Sequence, residues 1–192
     1  MPKLDIGAKP WTGAMPVVLI GVAAPDGPNF MTAAWISRVN GAPPVLGAAL
    51  GKRHLTSERI RAEGAFSVNV PTAALVERVD RCGLVSGRNQ SKADLFEVFY
   101  GELERVPLVA ECPVSMECRL ERIVELRTND LFLGEVVATH TEERFTRDGA
   151  IDPRAVDPLV LTMPDNTYWS LGPAAGDAWD PSTLREPLRK NR

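Results

Sequence analysis

Two strand-like apolar runs flank Pro25-Asp26-Gly27-Pro28, and this pairing constrains the fold more than any other feature of the chain. Val17 to Ala24 is rich in β-branched residues and nearly unbroken, as a buried strand is. The next four residues hold turn formers and an Asp-Gly pair, so they read as a hairpin connection into a second arm from Asn29 to Trp35. Asn40-Gly41-Ala42-Pro43-Pro44 breaks the chain again, and Val45 to Leu50 supplies a third strand. No strand-helix-strand alternation recurs along the chain. A mainly antiparallel β-barrel with inserted helices therefore fits better than a parallel doubly wound sheet.

The inserted helices announce themselves by their ends. Thr56 or Ser57 suits an N-cap, Glu58 suits a first turn, and Gly64 lies where a C-terminal glycine belongs. Ala65 to Val70 alternates apolar and polar residues like a half-buried strand, and Pro71 ends it. Thr72 is placed to cap a second helix through about Arg81, with Leu75, Val76, Val79 and Cys82 at helical spacing and Gly83 as its stop. Leu84 to Ala93 reads as a polar loop before the short apolar segment Leu95 to Tyr100. Beyond it, Val114 to Leu126 and Leu131 to Thr139 form a hairpin about Thr128-Asn129-Asp130, and Leu159 to Met163 adds another strand. The whole of 1–192 reads as one domain, with a loosely ordered basic tail over 180–192.

Several function classes are disfavoured. A net charge of −3 gives no general attraction to nucleic acid or an anionic membrane. No run of about 18 apolar residues is present to span a bilayer, and Met1 to Asp5 has no secretory-signal pattern, so a cytoplasmic location is the simplest expectation. The three cysteines, Cys82, Cys112 and Cys118, have unrelated spacings and read as reduced thiols. Gly47 to Arg53 resembles a P-loop but is one residue short between the glycines and lacks the following Ser or Thr. Gly83-Leu84-Val85-Ser86-Gly87 misses the nucleophile-elbow spacing by one residue. There is no GxGxxG after a strand, and His54 and His140 have no Cys/His cluster around them, so neither a Rossmann domain nor a zinc site is expected.

What remains is one apolar stretch and two polar ones. Asn29-Phe30-Met31-Thr32-Ala33-Ala34-Trp35 sets three small residues between bulky neighbours. Either another element packs there, or something flat approaches the backbone. Lys52-Arg53-His54-Leu55-Thr56-Ser57 combines cations and hydroxyls with a helix N-terminus, where free N–H groups favour an anion. Ser86-Gly87-Arg88-Asn89-Gln90-Ser91-Lys92 adds a hydroxyl, a close-approach glycine and further cations. Each polar stretch alone is a weak signal and reads first as a solvated loop. Together with the small-residue strand they suit a ligand with a flat aromatic end and a phosphate end.

Asn29-x-Met31-Thr32-Ala33-Ala34-Trp35, Arg53-His54-x-Thr56, Phe66-Ser67-Val68-Asn69-Val70-Pro71 and Cys82-Gly83-x-x-Ser86-Gly87 with Lys92 resemble the flavin reductase-like, FMN-binding split-barrel family, especially its flavoredoxin branch, over about residues 12–172. The resemblance implies a homodimer of six-stranded antiparallel Greek-key split barrels holding FMN noncovalently near the dimer interface. Carried onto this chain, it sets Asn29, Met31, Thr32, Ala33, Ala34 and Trp35 against the isoalloxazine and ribityl side, largely through main-chain groups. Arg53, Thr56 and Lys92 would hold the phosphate, with Ser86 and Gly87 closing the loop. His54 would either join the pocket or serve packing, and Tyr168 and Trp169 would touch flavin, the partner subunit or plain core. The implied activity is electron transfer from NAD(P)H or a reduced partner through FMN to free flavin, oxygen or a partner protein. No side chain is expected to act as acid or base. An electron carrier without substantial NAD(P)H oxidation, and a haem-binding or cofactor-free split barrel, are the alternatives. Residues 143–158 and the basic tail match the family pattern least.

Overall fold

A computed structural model describes residues 2–179; the tail expected to be loose, 180–192, lies outside the described residues. The main sheet is built from β1 (Val18–Ala24), β2 (Gly27–Ala33), β3 (Ile36–Asn40), β4 (Val45–Gly51), β5 (Ala65–Val70), β6 (Val114–Glu125) and β7 (Asn129–Thr141). Helix α1 (Leu55–Glu63) joins β4 to β5, and α2 (Val76–Leu84) follows β5. The strand order is β2-β1-β5-β6-β7-β4-β3, antiparallel at every step. The mainly β, antiparallel architecture with inserted helices is the one expected.

The connection between β2 and β3 shapes the sheet. These strands occupy its opposite edges, yet only Ala34 and Trp35 separate them. Three Cα steps reach about 11 Å at most, so the two edges must converge at this point and the sheet must curl. No ladder joins β2 to β3 among the described residues, which leaves the curled sheet split. The expected six strands become seven in the hydrogen-bonded sheet. Ile36–Asn40 carries little apolar signal because four of its five residues are exposed, and its pairing with β4 is what makes it a strand.

Curling gives the sheet two buried faces. Val18, Ile20 and Val22 of β1 point into the interior with Leu50, Ile60, Phe66 and Phe132, while Val17 and Leu19 point outward under α2 with Phe30, Val79 and Phe96. This explains why Val17 to Ala24 is apolar at successive positions. β5 departs from the half-buried expectation for a related reason: its polar residues Ser67 and Asn69 are fully buried. Ser67 Oγ donates to the Pro107 carbonyl at 2.6 Å, and Asn69 Nδ2 donates to the Leu19 carbonyl at 3.0 Å. The Asn69 Oδ1 accepts from the Val109 amide at 2.9 Å, so the 106–112 segment is pinned over β5. In the long β6–β7 hairpin the pairing slips at Leu133/Gly134 and Val136/Ala138, irregularities that add the curvature a barrel needs.

The helix ends sharpen two expectations. Gly64 takes the left-handed conformation at φ 67° and closes α1 as predicted. The N-cap is His54, however, and Thr56 and Ser57 lie within the helix. A three-residue turn, Ala73–Leu75, leads into α2, which runs through Gly83 to Leu84 and does not stop at that glycine. Met15–Pro16 and Thr167–Trp169 flank Val160–Thr162 in a small separate sheet, an arrangement that brings the C-terminal strands beside the pocket described next.

Candidate functional site

A cavity of about 460 Å³ opens along the edge strand β2. One wall is Asn29, Met31, Thr32 and Ala33 of β2 with Ala34 and Trp35 beyond it. Facing them are the end of β4, the start of α1 at His54, Leu55 and Thr56, and the segment from Cys82 to Gly87. All the residues expected at the site therefore line one cavity except Arg53, which stands exposed on the turn before α1 and outside these walls. Its neighbour Lys52 is engaged with the carboxylate of Asp130, at 3.1 Å.

β2 supplies main-chain groups to this cavity because, among the described residues, it pairs only with β1, leaving its outer edge without a ladder. The carbonyl of Phe30 points outward and accepts from Lys92 Nζ at 2.9 Å. Strand alternation turns the N–H and C=O of Thr32 toward the same open edge. The Thr32 hydroxyl donates to the Val79 carbonyl and ties the strand to α2. The small side chains at Thr32, Ala33 and Ala34 accordingly keep the strand's backbone accessible.

Lys92 is sunk into the wall, with only 4% of its surface exposed. Its ammonium donates a second hydrogen bond, 2.7 Å, to the Cys82 carbonyl. One proton of the three remains for another acceptor. Burial pushes its pKa below the usual lysine value. Burial pushes the Cys82 thiol up to about 11 against the pull of Lys92 and Arg81, so it stays a thiol at neutral pH.

Two features of the cavity ask for a polar ligand. Asn29 is 5% exposed; its Nδ2 donates to Thr56 Oγ1 at 3.0 Å, but its buried Oδ1 meets no donor among the described residues. A buried acceptor without a donor costs about 1–3 kcal/mol, which a ligand N–H or O–H would relieve. A Cβ on Gly87 would overlap that same oxygen, so the glycine lets the loop close over it. Among the described residues no side chain caps the first amides of α1, because Thr56 is engaged by Asn29 and the Ser57 hydroxyl donates to the Gly51 carbonyl at 2.9 Å. The helix start thus offers free N–H groups to an anion.

Leu161 and Met163, from the C-terminal strand region, complete the rim together with Leu84, Val85 and Asn129. Nothing in their local sequence marks them, since they are ordinary residues brought in by topology. Tyr168 packs outside the cavity and its hydroxyl donates to Asp80 at 3.1 Å, while Trp169 Nε1 donates to Thr162 at 2.8 Å. Neither lines the cavity. Among the described residues no group of three or more His, Cys, Asp or Glu side chains gathers to hold a metal.

The fold and site define a curled antiparallel β-domain with a polar-ended cavity along an open strand edge. Residues 12–162 match the family model of the flavin reductase like domain, and the chain belongs to that family. The crystal structure of flavoredoxin from Methanosarcina acetivorans is 43% identical, covers 96% of this chain and 100% of its own, and superposes with a TM-score of 0.92. Flavoredoxin of Desulfovibrio vulgaris (Miyazaki F) is 30% identical over 94% of this chain and 100% of its own, with a TM-score of 0.87. An NADH-dependent FAD reductase of Streptomyces globisporus is 30% identical over 63% of this chain and 65% of its own length.

Proposed function

We propose that the cavity holds FMN noncovalently and that the protein is a flavin-dependent oxidoreductase, moving electrons from NAD(P)H or a reduced partner to free flavin, oxygen or a partner protein. The observation that carries this reading is the cavity itself: an open strand edge at one end, an uncapped helix start at the other and an unpartnered Asn29 oxygen between them. A flavin presents a flat ring with hydrogen-bonding edges and a terminal phosphate, which suit those two ends. Bound FMN would supply the hydride and electron chemistry.

The chain's own residues then bind and orient. The backbone of Thr32 to Trp35 supports the ring side. Thr56, Ser86, Gly87 and the α1 amides surround the phosphate side. Lys92 contributes positive charge while bracing β2 against α2 through Phe30 and Cys82. Arg53, exposed beside the helix start, would reach the phosphate from solvent. A cytoplasmic homodimer completes the reading. Its support is the exposed apolar surface of Trp35, Val39 and Trp169, which a second copy would cover.

Likeness to two flavoredoxins favours a second reading, an FMN electron carrier with little NAD(P)H oxidation. Stopped-flow mixing of the FMN-loaded protein with NADH and NADPH separates the two. Rapid bleaching of the flavin is expected for the reductase; absence of bleaching alongside normal reduction by dithionite would overturn it in favour of the carrier.

A further inference from the structure

Asp130, at the start of β7, is a carboxylate taken almost wholly out of water, with 1% of its surface exposed. It shares the inward face of the strand with Phe132, opposite the face from which its neighbour Asn129 lines the cavity. Two cations from opposite ends of α1 converge on it. Lys52, in the turn before the helix, sets its Nζ 3.1 Å from one carboxylate oxygen, and Arg61, in the last turn, donates to the other at 2.6 Å. The backbone ties the same turn to the β6–β7 hairpin, since the Lys52 amide donates to the Thr128 carbonyl at 3.2 Å. Inside the turn, the His54 amide and the Ser57 hydroxyl both donate to the Gly51 carbonyl, at 3.2 and 2.9 Å. A buried charge is costly unless it is paired, so the carboxylate holds both cations to itself.

We infer that Asp130 is a positioning residue for the anion-binding end of the cavity, holding the first amides of α1 where a flavin phosphate meets them. This rests on the flavin reading above and adds to it a residue that lines no part of the cavity. A nine-residue helix is clamped at both ends to one carboxylate, so neither end shifts without leaving a buried charge short of a partner. Hydrogen bonds weaken steeply off line, and a small rotation of the helix start therefore costs phosphate contacts. The β2 edge, which faces the ring, is held separately by its ladder to β1 and by Lys92. Without the carboxylate, Lys52 and Arg61 turn to solvent, where their side chains already stand 37% and 38% exposed, and α1 is released. Charge alone works the other way. A carboxylate near a phosphate repels it, and Asp130 occupies Lys52, a cation that would otherwise favour the anion. Position and charge thus predict opposite signs for the loss of Asp130.

The test is titration of the flavin-free full chain with FMN and with riboflavin, which lacks the phosphate, followed by flavin fluorescence under one buffer and salt condition. Wild type is expected to bind FMN more tightly than riboflavin. Asp130→Asn, which keeps the shape and removes the charge, should cut that preference about tenfold while riboflavin affinity stays within about twofold. Arg61→Met removes the clamp at the far end of α1, about 9 Å along the helix from its start, where solvent screens its charge from the phosphate. It should cut the preference in the same direction by about threefold, and it decides the matter if Asp130→Asn does not fold. An unchanged or larger FMN preference in the variants would overturn the inference, and so would equal weakening of both flavins, the mark of a general structural role. Equal wild-type affinities would overturn it too while leaving the flavin reading intact. Binding of neither flavin to wild type would overturn that reading, and this one with it.

Discussion

At the scale of single residues, Lys92 joins fold to site. Lys92→Met keeps the stem but strips donors from the Phe30 and Cys82 carbonyls, both of which are turned toward a buried ammonium. Stability should fall by about 2–3 kcal/mol, seen in a denaturant melt, with flavin affinity falling as β2 loosens from α2. An unchanged melt would contradict the bracing role. Gly87→Ala tests the loop closure differently, because a Cβ there overlaps Asn29 Oδ1. Overpacking of about 1–3 kcal/mol at that point should weaken flavin binding about tenfold or more, read by titration beside a melt. The residues gathered here were largely legible before the fold was known, since cations, hydroxyls, glycines and small side chains keep their chemistry in any context. What the sequence could not show is direction. Lys92 reads as a free cation but is turned inward to two carbonyls, Arg53 is left outside the walls, and Leu161 and Met163 carry no local mark of their place on the rim.

At the scale of elements, the β6–β7 hairpin and the loop at 101–103 are held together by one buried carboxylate. Glu117 of β6 is fully buried. Burial pushes its carboxyl up, but His140 at 2.7 Å and the amides of Leu103 and Glu102 more than reverse that, so its pKa lies below the ordinary 4.5. The folded state therefore binds fewer protons than the unfolded one in the acid range. Its stabilisation is complete above the unfolded value and is lost as pH falls from about 4.5 through the lower folded value. Glu117→Gln should flatten the decline of the melting temperature over that acid window and lower stability at neutral pH; an unaltered profile would contradict the assignment. Gly134→Ala should destabilise the same hairpin by about 1–3 kcal/mol, since a Cβ would come within 2.7 Å of Phe66 Cε1. Periodicity revealed both arms of this hairpin and the β1–β2 pair because their apolar residues recur regularly. It missed β3, whose solvent-facing side chains leave no pattern, and it misplaced the stop of α2 at Gly83, which does not take the left-handed conformation of a helix-ending glycine; the helix closes at Val85, whose amide donates to the Arg81 carbonyl.

At the scale of the whole molecule, the two-residue link between the sheet's opposite edges makes the site. It forces the sheet to curl, leaves β2 an open edge and sets that edge against the starts and ends of the two helices. The antiparallel plan was legible from the absence of strand-helix-strand units, whereas the seventh strand shows only through its pairing with β4 and the open edge of β2 only through the curl of the whole sheet. Exposed apolar surface at Trp35, Val39 and Trp169 predicts association, so light scattering of the purified full chain should give twice the 20.9 kDa chain mass. A single-chain mass would contradict the homodimer. The central claim, that this cavity exists to hold a flavin, meets its most direct test in the visible absorption spectrum of the freshly purified protein, repeated after adding FMN. Flavin bands that stay with the protein through gel filtration are the predicted result. A Soret band, or a colourless protein that releases all added FMN, would contradict the account.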